Sequence, residues 1–203
     1  YNSYPRIIGE TGGKNWHFLH KSLSISDLWI VAQKTVESAF GFSGQKCSAC
    51  SIVYVPDKFY TQFITILEEK TNEFMLYDSF ENYGLINEKA FDKTQKLIKE
   101  IKSEDKYTIL HGGYTSNVNN FFCEPTIVKC EDHDDKIFND EFFAPILAVY
   151  RYSEKDLDDT MKLCRDSNNY ALTGSVFSND TKFIEKSTEF FKEKCGNFYI
   201  NDK

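Results

Sequence analysis

No run of 18 apolar residues occurs in the 203-residue sequence, so no stretch reads as a transmembrane helix. A basic stripe is missing as well. The chain carries 24 Lys and Arg against 31 Asp and Glu, for a net charge of -7, which argues against a nucleic-acid partner. No signal peptide, internal repeat or low-complexity linker is visible. The glycine-rich dinucleotide fingerprint G-x-G-x-x-G is absent too. Six cysteines, Cys47, Cys50, Cys123, Cys130, Cys164 and Cys195, are scattered through a chain too long to need disulfide staples. That usage suits free thiols in a reducing compartment. Cys47 and Cys50 form a C-x-x-C pair, but no second ligand pair stands at knuckle spacing and no thioredoxin-like context accompanies it. Metal and dithiol chemistry are therefore the weaker readings of that pair.

What the sequence does hold is enough apolar material for one sizeable core, with 41% hydrophobic residues and 16% aromatics. Residues 5–8 read as a short strand, and 16–20 as another. Leu28, Val31, Ala32, Thr35, Val36, Ala39 and Phe40 recur at helical spacing, so a helix is expected over about 26–41, capped by Ser24 or Ser26. Further strands are expected near 51–55, 107–110, 121–130, 145–150, 174–177 and 196–200. Helices are expected near 57–74 with Asp57 as cap, 88–102, 154–167 and 181–193, with a loop at Tyr83-Gly84 before the second. The run from Pro145 to Tyr150 is apolar throughout, the mark of a strand covered on both faces. The acidic patch Glu131–Asp135 reads as a solvated loop. Strands alternating with helices point to an α/β fold, an open, mostly parallel sheet with helices on both faces. In such sheets reactive groups are expected at the carboxyl ends of strands.

Three junctions carry the residues suited to chemistry. Cys47 stands between a helical run and a β-branched run, with Lys46 beside it. A neighbouring cation, or the amides of a helix N-terminus, would favour the nucleophilic thiolate. Taken alone, Cys47 is more readily a small buried apolar residue, as most free cysteines are. Glu10 precedes Gly12-Gly13, which leave room for a substrate or a moving cofactor, and a carboxylate there could act as a base. Taken alone, Glu10 is a surface carboxylate. Glu141-Phe142-Phe143-Ala144-Pro145 sets a carboxylate and two aromatics before the buried strand, or is simply a helix end with a proline stop.

Together these segments resemble the aldehyde dehydrogenase superfamily over essentially the whole chain. Glu10-Thr11-Gly12-Gly13-Lys14 is similar to its E-x-G-G-K motif and Gly44-Gln45-Lys46-Cys47 to its G-Q-x-C motif. Glu141 to Pro145 is similar to E-x-F-G-P, with Ala144 where the family has glycine. Residues 12–18, 44–49, 170–174 and 196–203 resemble the branch that oxidises L-glutamate γ-semialdehyde in proline degradation. The resemblance implies one catalytic domain over 1–203, from a longer parent that also holds a cofactor domain and an oligomerisation tail. It implies Cys47 as nucleophile and Glu10 as the base that activates water. It implies Glu141, Phe143 and Gly12 at the nicotinamide end of NAD, and Ser48 and Lys46 on the substrate carboxylate. It further implies an aldehyde substrate, a homo-oligomeric parent, and a mitochondrial-matrix location in a eukaryote or a cytoplasmic one otherwise. The isolated chain is then expected to be inactive as a dehydrogenase. The competing readings are an aldehyde dehydrogenase of other specificity and an inactive copy serving as an interaction module.

Overall fold

The structure, a computed structural model, describes residues 4–10, 12–77, 84–118, 120–167 and 171–203; Thr11, Tyr83 and Tyr170 lie outside the described residues. The elements follow in chain order as β1 (Asn15–Leu19), α1 (Ile25–Phe40), β2 (Cys50–Pro56), α2 (Tyr60–Tyr77), α3 (Glu88–Ser103) and β3 (Tyr107–His111). Then come β4 (Thr115–Ser116), β5 (Phe122–Cys123), β6 (Thr126–Cys130), α4 (Lys136–Asn139) and β7 (Ile146–Tyr152). The chain closes with α5 (Leu157–Asp166), β8 (Thr173–Phe177), α6 (Thr181–Phe191) and β9 (Asn197–Ile200).

Seven strands form one sheet in the order β3-β6-β7-β2-β1-β8-β9, while β4 and β5 pair separately. Every neighbour pair in the large sheet is parallel except β3 with β6. Successive strand residues point to opposite faces, and the two faces hold two cores. Trp16, Phe18, Ile52, Tyr54, Ala148 and Val176 face one core, closed by Leu97 and Ile98 of α3, Met161 of α5 and Phe191 of α6. Leu19, Val53, Val55, Leu147, Val149 and Phe177 face the other, closed by Leu28, Val31 and Phe40 of α1 and Phe63 and Leu67 of α2. The sequence-based expectation of a mostly parallel α/β sheet covered on both sides holds.

Local chemistry sets the ends of the elements. Ser24 caps α1, and Asp27 returns the bond in a capping box. Asn87 caps α3 and Asp180 caps α6. Asp57 does not cap α2 as expected. Residues Asp57–Phe59 wind into a 3₁₀ turn ahead of α2, and the Asp57 carboxylate accepts from Arg151 Nε at 2.6 Å. The acidic patch is not all solvated either. Asp135 is buried, caps α4, and accepts from the Tyr107 hydroxyl at 2.8 Å and from Lys106 at 2.9 Å. Residues 5–8 form no strand, because no described strand lies beside them; Ile7 and Ile8 are almost fully exposed.

Candidate active site

Glu10 lies just before β1, Cys47 just before β2 and Glu141 just before β7. These three strands are adjacent and parallel in the order β7-β2-β1, so the three segments meet along one edge of the sheet. That edge is the amino edge, contrary to the carboxyl-end expectation. The general rule concerns loops that leave strands. Here the reactive residues sit on loops that enter them.

The cysteine loop is shaped by an abrupt change of direction after α1. A 3₁₀ turn over Gly41–Gly44 places Phe42 and Ser43 at φ 56°, in the left-handed region, and Gly44 at φ 68°. Glycine is required at 44, since a Cβ there would lie 2.3 Å from the Ala144 carbonyl oxygen. The loop thus rests on the backbone of the Glu141–Pro145 segment. Ala144 itself has no positive φ, so its methyl group costs no strain where the family has glycine. A further turn, Ala49 N–H to the Lys46 carbonyl at 3.0 Å, presents Cys47 half-buried at its apex. No helix begins at Cys47, so no helix N-terminus activates it.

The Glu10 carboxylate beside the Cys47 thiol is the main reason its pKa is raised above the ordinary thiol value. The backbone N–H groups of Cys47 and Ser48 face the sulfur and pull the other way. The thiol is therefore the resting form, with an acceptor for its proton already in contact. Lys46 does not serve the sulfur as expected. Its ammonium turns back to the Glu37 carbonyl near the end of α1, at 3.5 Å, where a cation complements the helix dipole. Partial burial lowers its pKa. Cys50 belongs to the core. It is buried beneath α1, donates to the Ile52 carbonyl at 3.3 Å, and its thiol is pushed up to about 12 by burial. The C-x-x-C pair is one half-buried thiol in the candidate site and one packed thiol.

Glu141 ties the third segment to the first. Its Oε1 accepts from Gly13 N–H at 3.0 Å. Gly12 stands at φ 145°, and a Cβ there would lie 2.5 Å from Glu141 Oε2. A Cβ on Gly13 would lie 2.2 Å from the Cys47 carbonyl oxygen. The two glycines thus let the Glu10 loop thread between Glu141 and Cys47. Phe143, at φ 54°, stays 45% exposed beside this cleft. Lys14 is 2% exposed, with its ammonium 5.0 Å from the centre of the Phe142 ring, and burial pulls its pKa down to about 7.

Sequence reasoning passed over three residues that hold the cysteine loop. The Asn15 amide donates to the Cys47 and Ala49 carbonyls, both at 2.8 Å, and accepts from Thr173 N–H at 2.8 Å. The Lys203 ammonium, brought back along the sheet by a turn at Asn201 (φ 55°), reaches the Ser48 carbonyl and the Thr173 hydroxyl. The Thr173 hydroxyl also donates to the Ser48 carbonyl, at 3.3 Å. The hydroxyl of Ser48 takes no partner among the described residues. Asn15 and Lys203 both lie in stretches singled out by resemblance, but their partners lie 30 or more residues away in sequence.

Comparison with known proteins agrees with this geometry. The sequence is 38% identical to the mitochondrial delta-1-pyrroline-5-carboxylate dehydrogenases of Danio rerio and of Homo sapiens. Each match covers all of this chain and 37% or 36% of the relative. A crystal structure of the delta-pyrroline-5-carboxylate dehydrogenase from Mycobacterium tuberculosis bound with NAD is similar at TM-score 0.84 and 30% identity, over all of this chain and 37% of that one. The chain therefore spans little more than a third of the length of the relatives it matches. The sequence profile of the Aldehyde dehydrogenase family matches residues 2–203. This chain belongs to the aldehyde dehydrogenase family.

Proposed function

We propose that residues 1–203 form the catalytic domain of an NAD-dependent dehydrogenase that oxidises L-glutamate γ-semialdehyde to L-glutamate. The observation that carries this reading is the meeting of the Glu10, Cys47 and Glu141 loops at one edge of the sheet, with the Glu10 carboxylate acting on the Cys47 thiol beside the Glu141–Gly12 cleft. Glu10 takes the thiol proton, and the thiolate adds to the aldehyde carbon. The N–H groups of Cys47 and Ser48 face the same side as the sulfur and are placed to hold the developing oxyanion. Glu10 passes that proton to solvent, and its carboxylate then takes a proton from the water that hydrolyses the Cys47 thioester, releasing the product acid and, with that proton returned to the sulfur, free thiol. The cleft suits the nicotinamide end of NAD, since Gly12 leaves open the space a Cβ would fill and Glu141 Oε2 faces it. Glu141 and Phe143 would hold that end of the cofactor. When bound, NAD supplies the hydride acceptor for the oxidation.

The free Ser48 hydroxyl, next to the nucleophile, suits the substrate carboxylate, with Lys46 adding positive charge nearby. Names of the relatives support the choice of substrate and, for a eukaryotic protein, the mitochondrion. A homo-oligomeric parent fits the family reading.

Mapping of thiols alkylated near neutral pH tests the nucleophile. Cys47 is expected to react ahead of half-buried Cys195 and the four buried cysteines. Modification spread evenly over all six sinks the assignment. The 203-residue chain alone is expected to form no NADH from the semialdehyde, and measurable formation would overturn its reading as one domain of a larger enzyme.

A further inference from the structure

Three successive carbonyls of the nucleophile loop are held from within the protein. Asn15 takes those of Cys47 and Ala49, while Lys203 and Thr173 take that of Ser48. Asn15 is 1% exposed, and its amide spends both N–H donors and its oxygen on backbone groups at 2.8 Å. It sits where the register of β1 against β2 slips: Asn15 pairs with Cys50 and Trp16 with Ile52, leaving Ser51 extra. The Ser51 hydroxyl donates to the Asn15 carbonyl at 3.2 Å and closes the irregularity. Such bulges re-aim the backbone beside functional sites.

We propose that Asn15 is the positioning residue of the nucleophile: by holding the Cys47 carbonyl inward it turns the Ser48 N–H outward onto the Cys47 sulfur. The reason is the geometry of the trans peptide. The C=O of Cys47 and the N–H of Ser48 belong to one plane and point in opposite directions. Fixing the first fixes the second. A free loop could rotate that plane and withdraw the donor. An N–H held against a thiolate favours the charged form and stands ready for an oxyanion. Asn15 touches neither sulfur nor substrate and acts only through the peptide it grips. The proposal rests on Cys47 as the nucleophile and adds the device that aims its loop.

The charged groups around the sulfur are Glu10 from the loop before β1 and Lys203 from the segment after β9, while the Lys46 ammonium turns back to the Glu37 carbonyl. Substitution of Asn15 by a neutral residue leaves all three charges in place. The test measures the rate of iodoacetamide alkylation of Cys47, by peptide mapping, across the thiol titration. It uses the full 203-residue chain as wild type, Asn15→Ala, Asn15→Ser and Thr94→Val, each checked for folding by circular dichroism. Either Asn15 variant that folds is expected to move the midpoint upward and to slow alkylation near neutral pH about tenfold, the equivalent of one pKa unit. Thr94→Val removes a buried hydroxyl within α3, leaves every tie to the loop in place and is expected to keep the wild-type midpoint. A wild-type midpoint in the folded Asn15 variant, or an equal shift in Thr94→Val, overturns the proposal. If Cys47 of the wild type does not react selectively, it is the nucleophile assignment that falls instead.

Discussion

The Gly12-Gly13 pair gives the most exacting steric prediction. In Gly13→Ala the new Cβ would lie 2.2 Å from the Cys47 carbonyl oxygen, whereas ordinary contact begins near 3.4 Å. One side must retreat by about 1.2 Å. The Cys47 carbonyl is pinned by the Asn15 amide at 2.8 Å, so the Glu10 loop is the side that moves. That movement breaks the Gly13 N–H bond to Glu141, now 3.0 Å, and lifts Glu10 off the thiol. Overpacking costs about 1–3 kcal/mol. Loss of the bond adds about 1 kcal/mol. A total of about 2–4 kcal/mol corresponds to a fall in melting temperature of roughly 4–16 °C for a domain of this size. The pH midpoint of Cys47 alkylation falls at the same time, because the carboxylate that holds the thiol proton has withdrawn. Thermal unfolding and pH-dependent alkylation read the two effects separately. A Gly13→Ala chain with a wild-type melting temperature and midpoint would refute the threading of the Glu10 loop between Glu141 and Cys47.

Glu10→Gln is expected to speed alkylation of Cys47 near neutral pH, since the carboxylate is the largest cause of the raised thiol pKa; an unchanged or slower rate contradicts that contact. Lys14 tests the electrostatics of the core. Its pKa falls from 10.5 to about 7 on folding, so below about 7 both states carry the proton and the cost of burying the charge is fully present. Between those values only the unfolded state is protonated, and stability rises with pH. The stability of Lys14→Met relative to wild type, from urea titrations, should therefore be most favourable at or below neutral pH and decline toward alkaline pH. A pH-independent difference would show that Lys14 is not buried as a depressed ammonium.

Much of this was legible before any coordinates. The period of α1 is unambiguous from Leu28 to Phe40, and its capping box lies in Ser24 and Asp27. The apolar runs of β2 and β7 announce strands buried on two faces. Glu10, Cys47 and Glu141 stand out because each is a reactive side chain at a junction between elements. What stayed hidden depends on pairing rather than on local pattern. The amino edge of the sheet became the site only once β7, β2 and β1 were found side by side and parallel. Asp135 reads as one more acid in a solvated run, yet Tyr107 and Lys106 draw it inside. The left-handed residues Phe42, Ser43 and Phe143 are imposed by tertiary contacts on side chains that do not favour that region. The grip of Asn15 on Thr173 spans 158 residues, a separation no window of sequence contains.

The position of the site at the amino edge has a chemical consequence. At a carboxyl edge, the N-terminus of the following helix would supply aligned amides and half a positive charge to an anion. Cys47 is followed by β2, so it receives none of that field. The loop supplies the donors itself, from the N–H groups of Cys47 and Ser48, and such single donors hold only if the peptide plane is prevented from turning. That is why three carbonyls in a row are tied inward and why one of the ties is a half-buried ammonium. Burial pulls the pKa of Lys203 down to about 8, so its charge starts to be lost as pH rises past neutrality. Lys46, by contrast, leans toward the end of α1 and leaves the sulfur alone. Of the two cations at this loop, Lys203 acts on the backbone that aims the thiol, and Lys46 is held at the end of α1 instead.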